Sequence, residues 1–230
     1  MGFLELIQNW GPRLLEGAMV TLQLVILSGA AGLVLAVPIA LALVAANPLL
    51  RWPAYGYSLF FRGTPLLVQI FLLYFGLGQF AWMRDSLLWP LLREPYACAL
   101  IAFSLNTAAY TGELLRGGIR AVPRGEVEAA RSCGMSTWMT YRLIVLPRAF
   151  RIILPAYSNE LILLLKASSL ASTITLLDLM GVARLAVAKT YAPIQLFIIA
   201  GAIYYVMTLV ISYGLRRLEG RINRYLQLAR

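Results

Sequence analysis

Five long apolar segments run along this chain, separated by shorter stretches that hold most of the charged residues. The first is the clearest, because no charged residue occurs between Gly17 and Leu50. A membrane-spanning helix needs roughly 20 predominantly apolar residues, and each segment is long enough. The pattern therefore predicts an all-α polytopic membrane protein of a single domain, residues 1–230, with five transmembrane helices. The predicted spans cover about residues 18–45, 57–83, 95–115, 152–177 and 192–215.

The segments between the spans predict the orientation, because Lys and Arg concentrate on the cytosolic side of membrane proteins. Segments 47–53, 116–151 and 216–230 together hold 13 of the 20 basic residues, whereas the segments on the other side hold 5. We therefore expect the N-terminus outside the cell and the C-terminus in the cytosol. The segments on the outer side are an interfacial stretch at residues 1–16, anchored by Trp10, and polar loops at 84–94 and 178–193.

The longest cytosolic segment contains a polar stretch, residues 126–147, that predicts two short helices joined by a sharp corner. Pro123 interrupts the preceding helix, and acidic residues then occupy a first turn, where the helix dipole favours them. Gly134 lies where a left-handed C-terminal cap is expected, and Ser136 fits the N-cap of the second helix. We expect that second helix to stop at Pro147.

This compact protrusion has two interpretations on physical grounds. The small side chains of Ala129 and Ala130 would allow a partner surface to approach closely, which favours a docking role. An amphipathic hairpin that lies at the membrane surface between two spans is equally compatible with the pattern.

Two charged residues, Glu160 and Lys166, lie inside the predicted fourth span, where an ionised group is costly and therefore suggests a function. If this helix leaves the cytosol at Arg151, Glu160 lies about 13 Å and Lys166 about 22 Å into the membrane, at about 1.5 Å per residue. The midplane of a ~30 Å hydrocarbon core falls between them. Glu160 then either contacts a cationic ligand or interacts with another helix.

Polar residues in the outer half of the same span fit either the wall of a passage or hydrogen bonds between helices. They are Ser168, Ser169, Ser172, Thr173 and Thr175. In the third span, Asn106 has the same two interpretations. Arg62 and Glu113 each lie near the cytosolic end of a predicted span, and we expect them to form a structural ion pair or to extend toward the lipid headgroups.

Composition narrows the possible functions. The net charge of +10 would suggest nucleic-acid binding in a soluble protein, but the chain is 60% hydrophobic, so we assign the charge to membrane topology and expect no nucleic acid. The chain contains no His, which excludes histidine-based metal sites and triads, and we expect no metal site and no catalytic residue. It has no Gly-Lys dipeptide, so the phosphate-binding loop of ATPases is absent.

Seven residues of segment 116–151 fill a spaced pattern of E-A-A, three residues, G, nine residues and I-x-L-P. They are Glu128, Ala129, Ala130, Gly134, Ile144, Leu146 and Pro147. The pattern resembles the cytoplasmic coupling loop of permease subunits of bacterial ABC importers, and every fixed position is filled. The resemblance implies that these residues couple the chain to an ATPase, and that the fold is that of a type I ABC importer permease. Segment 116–151 is called the coupling loop below.

Further segments resemble permeases for polar amino acids, in particular the histidine and lysine/arginine/ornithine importer and the arginine importer. These segments are Arg62–Pro65 (Arg-Gly-Thr-Pro), Asn106–Tyr110 and Tyr157–Glu160. In relatives that carry basic amino acids, a glutamate that matches Glu160 lies in the substrate cavity, and some also have an Asp at the position of Ala167. The substrate-binding residues that we expect from this resemblance are Glu160, Asn159, Ser158, Ser168 and Asn106.

The same resemblance implies a set of partners. We expect a second permease subunit, either a paralogue or a second copy, two ATPase subunits at the cytosolic face, and a periplasmic or lipid-anchored substrate-binding protein. ATP and Mg would be bound by the ATPase subunits, and this chain would hold no cofactor. It would be a non-catalytic subunit of a transport ATPase in the bacterial inner membrane, and would pass amino acids, above all basic ones, by alternating access.

Three alternatives differ in what they require. An intramembrane enzyme needs paired acids or a metal cluster at one depth, and only Glu160 lies at mid-depth. An ion channel subunit would leave the coupling loop without a purpose. An importer for another solute, such as an opine or an acidic amino acid, keeps the fold. An acidic substrate would be repelled by Glu160 unless Lys166 or Arg62 faced the cavity instead.

Overall fold

The computed structural model describes residues 2–222, and every regular element in that part of the chain is helical. Residues 223–230, part of the predicted basic tail, lie outside the described residues. The long helices are α1 (Phe3–Val44), α2 (Pro48–Gly63), α6 (Pro95–Arg120), α9 (Leu146–Ala167), α10 (Leu179–Thr190) and α11 (Pro193–Ile222). The shorter helices are α3 (Leu66–Phe71), α4 (Ala81–Arg84), α5 (Trp89–Leu92), α7 (Arg124–Ser132) and α8 (Thr137–Thr140).

The N-terminal helix is much longer than the apolar pattern indicates. α1 continues through 42 residues, a length of about 63 Å, which is twice the ~30 Å thickness of a bilayer core. Residues 3–16 are therefore the first turns of α1 and not a separate element. Leu6 and Leu14 are fully buried and Trp10 is 8% exposed. Because these residues are four apart, they share one face of the helix, and Trp10 packs in the core rather than anchoring the chain in the headgroups.

α6 lies at the centre of the bundle and packs against α1, α2 and α9. Glycines allow the closest contacts: a Cβ on Gly32 would lie 2.9 Å from Thr107 Cγ2, and one on Gly112 would lie 3.0 Å from Ile39 Cγ2. The contacts advance in the same direction along both helices, so α1 and α6 run parallel. Such close packing is a main source of attraction between helices in a membrane, because lipid tails are as apolar as the side chains.

The predicted second span is broken in the middle. α2 ends at Gly63, and the helical segment Leu66–Gln79 follows at an angle of 103°. Thr64 and Pro65 form the corner, since both have extended backbone angles and Pro also removes a backbone donor. A single straight helix over residues 57–83 is therefore not present.

The fourth span begins inside the coupling loop. α8 continues through a π-helical turn, Tyr141–Val145, into α9, so that one helical segment runs from Thr137 to Ile174. The prediction that Pro147 stops the second short helix is wrong. Pro147 lies in the first turn of α9, and the looser hydrogen bonding of the preceding π-turn accommodates its ring and its missing N–H.

The C-terminal end of this segment is a 3-10 helix, Ser168–Ile174. Four hydroxyl groups donate to the carbonyl three residues earlier, at 2.6–2.8 Å. They belong to Ser168, Ser169, Ser172 and Thr173. Local bonds of this kind compete with the α-helical pattern. Four of the five residues that the sequence suggested as a passage wall thus donate their hydroxyl groups to their own backbone, and Thr175 is the exception.

The segment after the fourth span, residues 178–193, is helical rather than a polar loop. Asp178 caps the N-terminus of α10, since its Oδ1 accepts a hydrogen bond from Gly181 N at 2.9 Å. Thr21 of the neighbouring helix α1 also caps the N-terminus of α10, because its hydroxyl accepts a hydrogen bond from Leu179 N at 3.1 Å. α10 is bent by 49° from the preceding segment and packs against α1 and α11.

Two groups of buried apolar residues hold the bundle together. The larger joins α1, α6, α9, α10 and α11. The smaller joins the last turns of α1 and α6 to the start of α9, next to the coupling loop. By length and composition, α1 and α11 could each cross a membrane, and so could each of the two bent segments if it is one span. α6, which contains the predicted third span at residues 95–115, is not among these segments.

Candidate functional site

The corner of the coupling loop has the cap geometry that the sequence predicts. Gly134 has φ +80°, in the left-handed region that favours glycine. Gly134 N donates to Arg131 O at 2.9 Å and Met135 N donates to Ala130 O at 3.1 Å, which is the pattern of a Schellman motif. Ser136 then caps α8, and its hydroxyl accepts a bond from the backbone N–H three residues later at 3.3 Å.

The outer surface of the coupling loop presents an acid and an aromatic residue. Glu128 and Ala129 are exposed, whereas Ala130 is 5% exposed and packs inside the chain. Of the two alanines, only Ala129 is therefore available to a partner. Trp138 is 66% exposed, which leaves a large apolar side chain open to a partner surface. Sequence patterns do not single out Trp138, and the only signal is an aromatic residue in a polar segment.

An ion pair and a continuous helix connect the coupling loop to α9. Glu126 Oε1 lies 3.4 Å from Arg148 Nη2. Ile144 and Leu146 are half-buried and Pro147 is exposed. Because no loop separates α8 from α9, a displacement of the coupling loop is transmitted directly along the helix that carries Glu160.

Glu160 lies at the border between the packed face and the open face of α9. At about 100° per residue, it is about 20° from Ile153 and about 40° from Leu164 around the helix, and both of these are buried. The packed face contacts α1, where Tyr157 OH donates to Gly29 O at 3.3 Å. Glu160 is half-buried, and it has no ion-pair partner within residues 2–222.

The open face of α9 mixes polar and apolar side chains. Asn159 and Lys166 are exposed on it, together with Ile152 and Leu163. A face that contacts only lipid would be apolar throughout, because charged groups in hydrocarbon are costly. The mixture favours contact with a passage or a second subunit, and it places Asn159 beside Glu160.

Two of the predicted binding residues lie away from Glu160. Ser168 is fully buried, and its hydroxyl donates to Leu165 O at 2.7 Å. Ser158 is about 160° from Glu160 around the helix, and its hydroxyl donates to the carbonyl four residues earlier at 2.9 Å. Ser158 does not share a face with Glu160, because the helical period turns it to the other side of α9, and the tight 3-10 turn buries Ser168.

Asn106 holds the bend between α2 and α3. Its Nδ2 donates to Phe61 O at 3.0 Å and to Gln69 Oε1 at 3.1 Å. Gln69 Nε2 in turn donates to Phe61 O at 2.9 Å and to Thr64 Oγ1 at 2.8 Å. These amides satisfy a carbonyl that the broken helix leaves free inside the membrane. Asn106 thus joins two helices rather than presenting its amide to a ligand.

Arg62 and Glu113 lie together as an ion pair, with Nη1 3.4 Å from Oε1. Glu113 also accepts a bond from Arg116 Nε at 2.7 Å, and the Arg62 guanidinium lies 5.6 Å from the centre of the Tyr110 ring. Because α2 begins at Pro48, Arg62 is about 21 Å along the helix, next to the bend into α3.

The sequence from residue 30 to residue 224 matches the family described as binding-protein-dependent transport system inner membrane component. The chain belongs to this family. It is therefore a permease subunit of an importer, and the resemblance based on the coupling-loop residues is confirmed. The permease is an integral membrane protein of the inner membrane.

Several relatives share most of the chain. The permease is 51% identical to the octopine transport system permease protein OccM of Rhizobium meliloti, over 86% of this chain and 80% of the relative. It is 45% identical to the nopaline transport system permease protein NocM of Agrobacterium fabrum, over 97% and 93%. It is 42% identical to the histidine/lysine/arginine/ornithine transport system permease protein HisM of Escherichia coli, over 93% of both chains.

Solved structures confirm the fold. A chain of an amino acid ABC transporter crystallised with histidines matches with a TM-score of 0.83 and 36% identity, over 96% of the permease and 99% of that chain. An inward-facing chain of the MetNI methionine ABC transporter matches with a TM-score of 0.72 and 17% identity, over 91% and 95%, and at that identity it shows the fold alone. The prediction of an all-α type I ABC importer permease is therefore confirmed.

Proposed function

We propose that this permease passes solutes with a guanidinium, ammonium or imidazolium side group, namely basic amino acids and arginine-derived opines, through an ATP-driven importer. The observation that carries the proposal is Glu160. It is half-buried, lies at the edge of an open and partly polar helix face, and has no ion-pair partner among the described residues. A buried carboxylate without a cation is costly, and a cationic substrate would relieve that cost during its passage.

The named substrates of the relatives share this chemistry. Octopine and nopaline are both N-substituted arginines, so they carry the same guanidinium group as arginine, and a carboxylate binds that group through two parallel hydrogen bonds. Relatives named for opines and for histidine, lysine, arginine and ornithine are both similar to this chain. Ala167 replaces the second acid of some basic amino-acid permeases, so Glu160 alone would supply the negative charge in this subunit.

Lys166 favours opines within this class. It is exposed on the same open side of α9, about 9 Å further along the helix than Glu160. An arginine-derived opine has at least one carboxylate more than arginine, and an ammonium group at this separation fits an additional negative charge at the far end of the substrate.

The coupling loop supplies the mechanical part of the mechanism. Two ATPase subunits, which bind ATP and Mg, would dock on the exposed Glu128, Ala129 and Trp138 on the cytosolic side. Closure of the ATPase pair would move α7 and α8, and with them α9. A second permease subunit would complete the passage, and a binding protein would deliver the solute from outside. This chain itself would bind no nucleotide.

Uptake of labelled arginine into proteoliposomes that contain the whole complex tests the substrate. Octopine, nopaline, lysine and histidine should compete, whereas glutamate should not. Glu160→Gln should lower uptake about tenfold or more, because a hydrogen bond to a charged group contributes roughly 1.5–3 kcal/mol. Glu16→Gln is the matched control, because Glu16 is exposed on α1 and forms no ion pair in the described residues.

Three results would change the assignment. Unchanged uptake in Glu160→Gln would make this residue structural and would move the binding site to the partner subunit. If another solute stimulated ATP turnover while arginine did not, the permease assignment would stand and the substrate would be rejected. Equal competition by octopine in wild type and Lys166→Gln would reject the role of Lys166 in opine selection.

A further inference from the structure

A concave site lies at the end of the bundle that carries the coupling loop. The last turn of α1, the first turns of α2 and the last turns of α6 enclose a cavity of about 310 Å³. Its lining residues are Leu43, Arg51, Trp52, Tyr55, Arg116 and Arg120. These residues, called the basic pocket below, do not include the exposed docking residues Glu128, Ala129 and Trp138 or the residues of the Glu160 face.

The positive charge of the basic pocket is not balanced by acids. Arg51 and Arg120 are exposed, and neither forms an ion pair within residues 2–222. Arg116 directs Nε and Nη2 to Glu113, and Glu113 is also shared with Arg62. Basic residues at this end of a membrane protein would serve topology at any position, but here three arginines line one cavity, which topology alone does not require.

The other walls of the basic pocket are those of a membrane interface. Trp52 is 64% exposed and Tyr55 is 47% exposed, and their rings meet edge to face with centres 6.1 Å apart. Trp and Tyr prefer the level of the lipid headgroups. Leu49 and Leu50, just before the pocket on the same helix, are 81% and 56% exposed and offer an apolar surface to acyl chains.

We propose that the basic pocket binds a phosphate group, and that its source is an anionic phospholipid in the leaflet next to the coupling loop. Arginine is suited to this role because its planar fork donates two parallel hydrogen bonds to phosphate oxygens. Basic pockets between membrane helices recognise lipid headgroups in this way. Free phosphate is also an anion with oxygen acceptors, but it would leave the exposed Trp52, Tyr55 and Leu50 without a partner. The bound lipid would tie α1, α2 and α6 together beside the coupling loop.

Fluorescence quenching of the full-length chain in detergent micelles tests this proposal. Phosphatidylglycerol with brominated acyl chains is titrated against phosphatidylcholine brominated in the same way. Trp52 reports from the pocket, and the difference between wild type and Trp52→Phe isolates its signal from the other four of the chain's five tryptophans. We expect the phosphatidylglycerol to quench Trp52 at a several-fold lower lipid fraction than the phosphatidylcholine.

Matched variants identify the groups that recognise the phosphate. The double variant R51Q/R120Q should lose the preference for phosphatidylglycerol, whereas R84Q/R93Q, which removes two arginines from the segment before α6, should keep it. The lysine variant R51K/R120K should keep part of the preference, since it retains the charge without the planar fork. Gel filtration of each variant, with the elution volume of wild type, establishes that the fold is intact.

The outcomes separate the two sources of phosphate. Loss of the preference only in R51Q/R120Q supports the proposal. Equal quenching by both lipids in wild type, or an unchanged preference in R51Q/R120Q, overturns it. If both lipids quench wild type equally but inorganic phosphate at millimolar concentration binds wild type and not R51Q/R120Q, the phosphate site stands and the lipid is rejected as its occupant. The test does not depend on which solute the permease carries.

Discussion

Replacing Gly118 with Ala tests whether α9 is held against α6 as closely as the structure requires. A Cβ at this position would lie 2.5 Å from Ile153 Cγ2 and 3.0 Å from Ala149 O. Carbon atoms without a bond between them make optimal contact at roughly 3.5–4.0 Å, so the helices would have to separate by about 1 Å. Neither neighbour can turn aside, because one is a methyl branch at Cβ and the other is a backbone oxygen.

The adjacent Gly117 provides a matched control, since a Cβ there would meet nothing within 4 Å. Both substitutions gain up to ~1 kcal/mol of helix propensity, and only Gly118→Ala suffers the overpacking. We therefore expect Gly118→Ala to be less stable than Gly117→Ala by about 1–3 kcal/mol. For a chain of this size, that difference corresponds to a Tm lower by roughly 2–12 °C.

Thermal unfolding of the purified chain in detergent, followed by intrinsic fluorescence, measures the difference. Gly118→Ala should lower the Tm less in an Ile153→Ala background than in wild type, because Ile153→Ala removes the clashing methyl group. Equal Tm values for Gly118→Ala and Gly117→Ala would refute the reasoning, and the contact that joins the coupling-loop end of α9 to α6 would then not be formed.

Three further substitutions test other parts of the structure. Gly134→Ala should destabilise the coupling-loop corner by about 1–2 kcal/mol because of its positive φ, visible as faster amide exchange there, whereas Gly125→Ala, which has open space and no positive φ, should not. Trp138→Ala should reduce co-purification of the ATPase subunits without changing the Tm of the isolated chain, and the equally exposed Trp82→Ala should leave co-purification intact; equal retention by both would exclude Trp138 from the interface. Asn106→Ala should lower the Tm of the isolated chain, since it removes two hydrogen bonds across the α2–α3 bend, each worth about 0.5–1.5 kcal/mol; an unchanged Tm would show that the bend is held by other contacts.

The coupling loop was the most predictable part of the chain because its signals are local. Gly134 ends α7 and Ser136 begins α8 through bonds that reach only three or five residues along the chain. The spaced pattern that includes Glu128 and Pro147 also indicated the family to which the chain belongs. The prediction that the second short helix ends at Pro147 was wrong for a non-local reason. The π-turn before Pro147 depends on how α9 packs, and no propensity encodes that packing.

Other features could not be separated by sequence patterns alone. The spacing of Leu6, Trp10 and Leu14 is the same for a helix face on a core and for one on a membrane surface. The charged Asp178 favours the prediction of a polar loop, although an Asp before an apolar run is also an N-cap signal. The side of α9 on which Ser158 lies follows from the helical period, but the burial of Ser168 depends on neighbouring helices.

The central claim is that this permease moves its solute only when an ATPase drives it through the coupling loop. Flux of labelled arginine is measured in proteoliposomes with the complete complex, with ATP omitted, with the ATPase subunits omitted, and with Glu128→Gln in the permease. We predict uptake only in the complete complex with ATP, and loss of both uptake and ATPase association in Glu128→Gln. Arginine flux down its gradient through the permease pair without ATPases, at the rate of the complete complex, would contradict the account and indicate a channel.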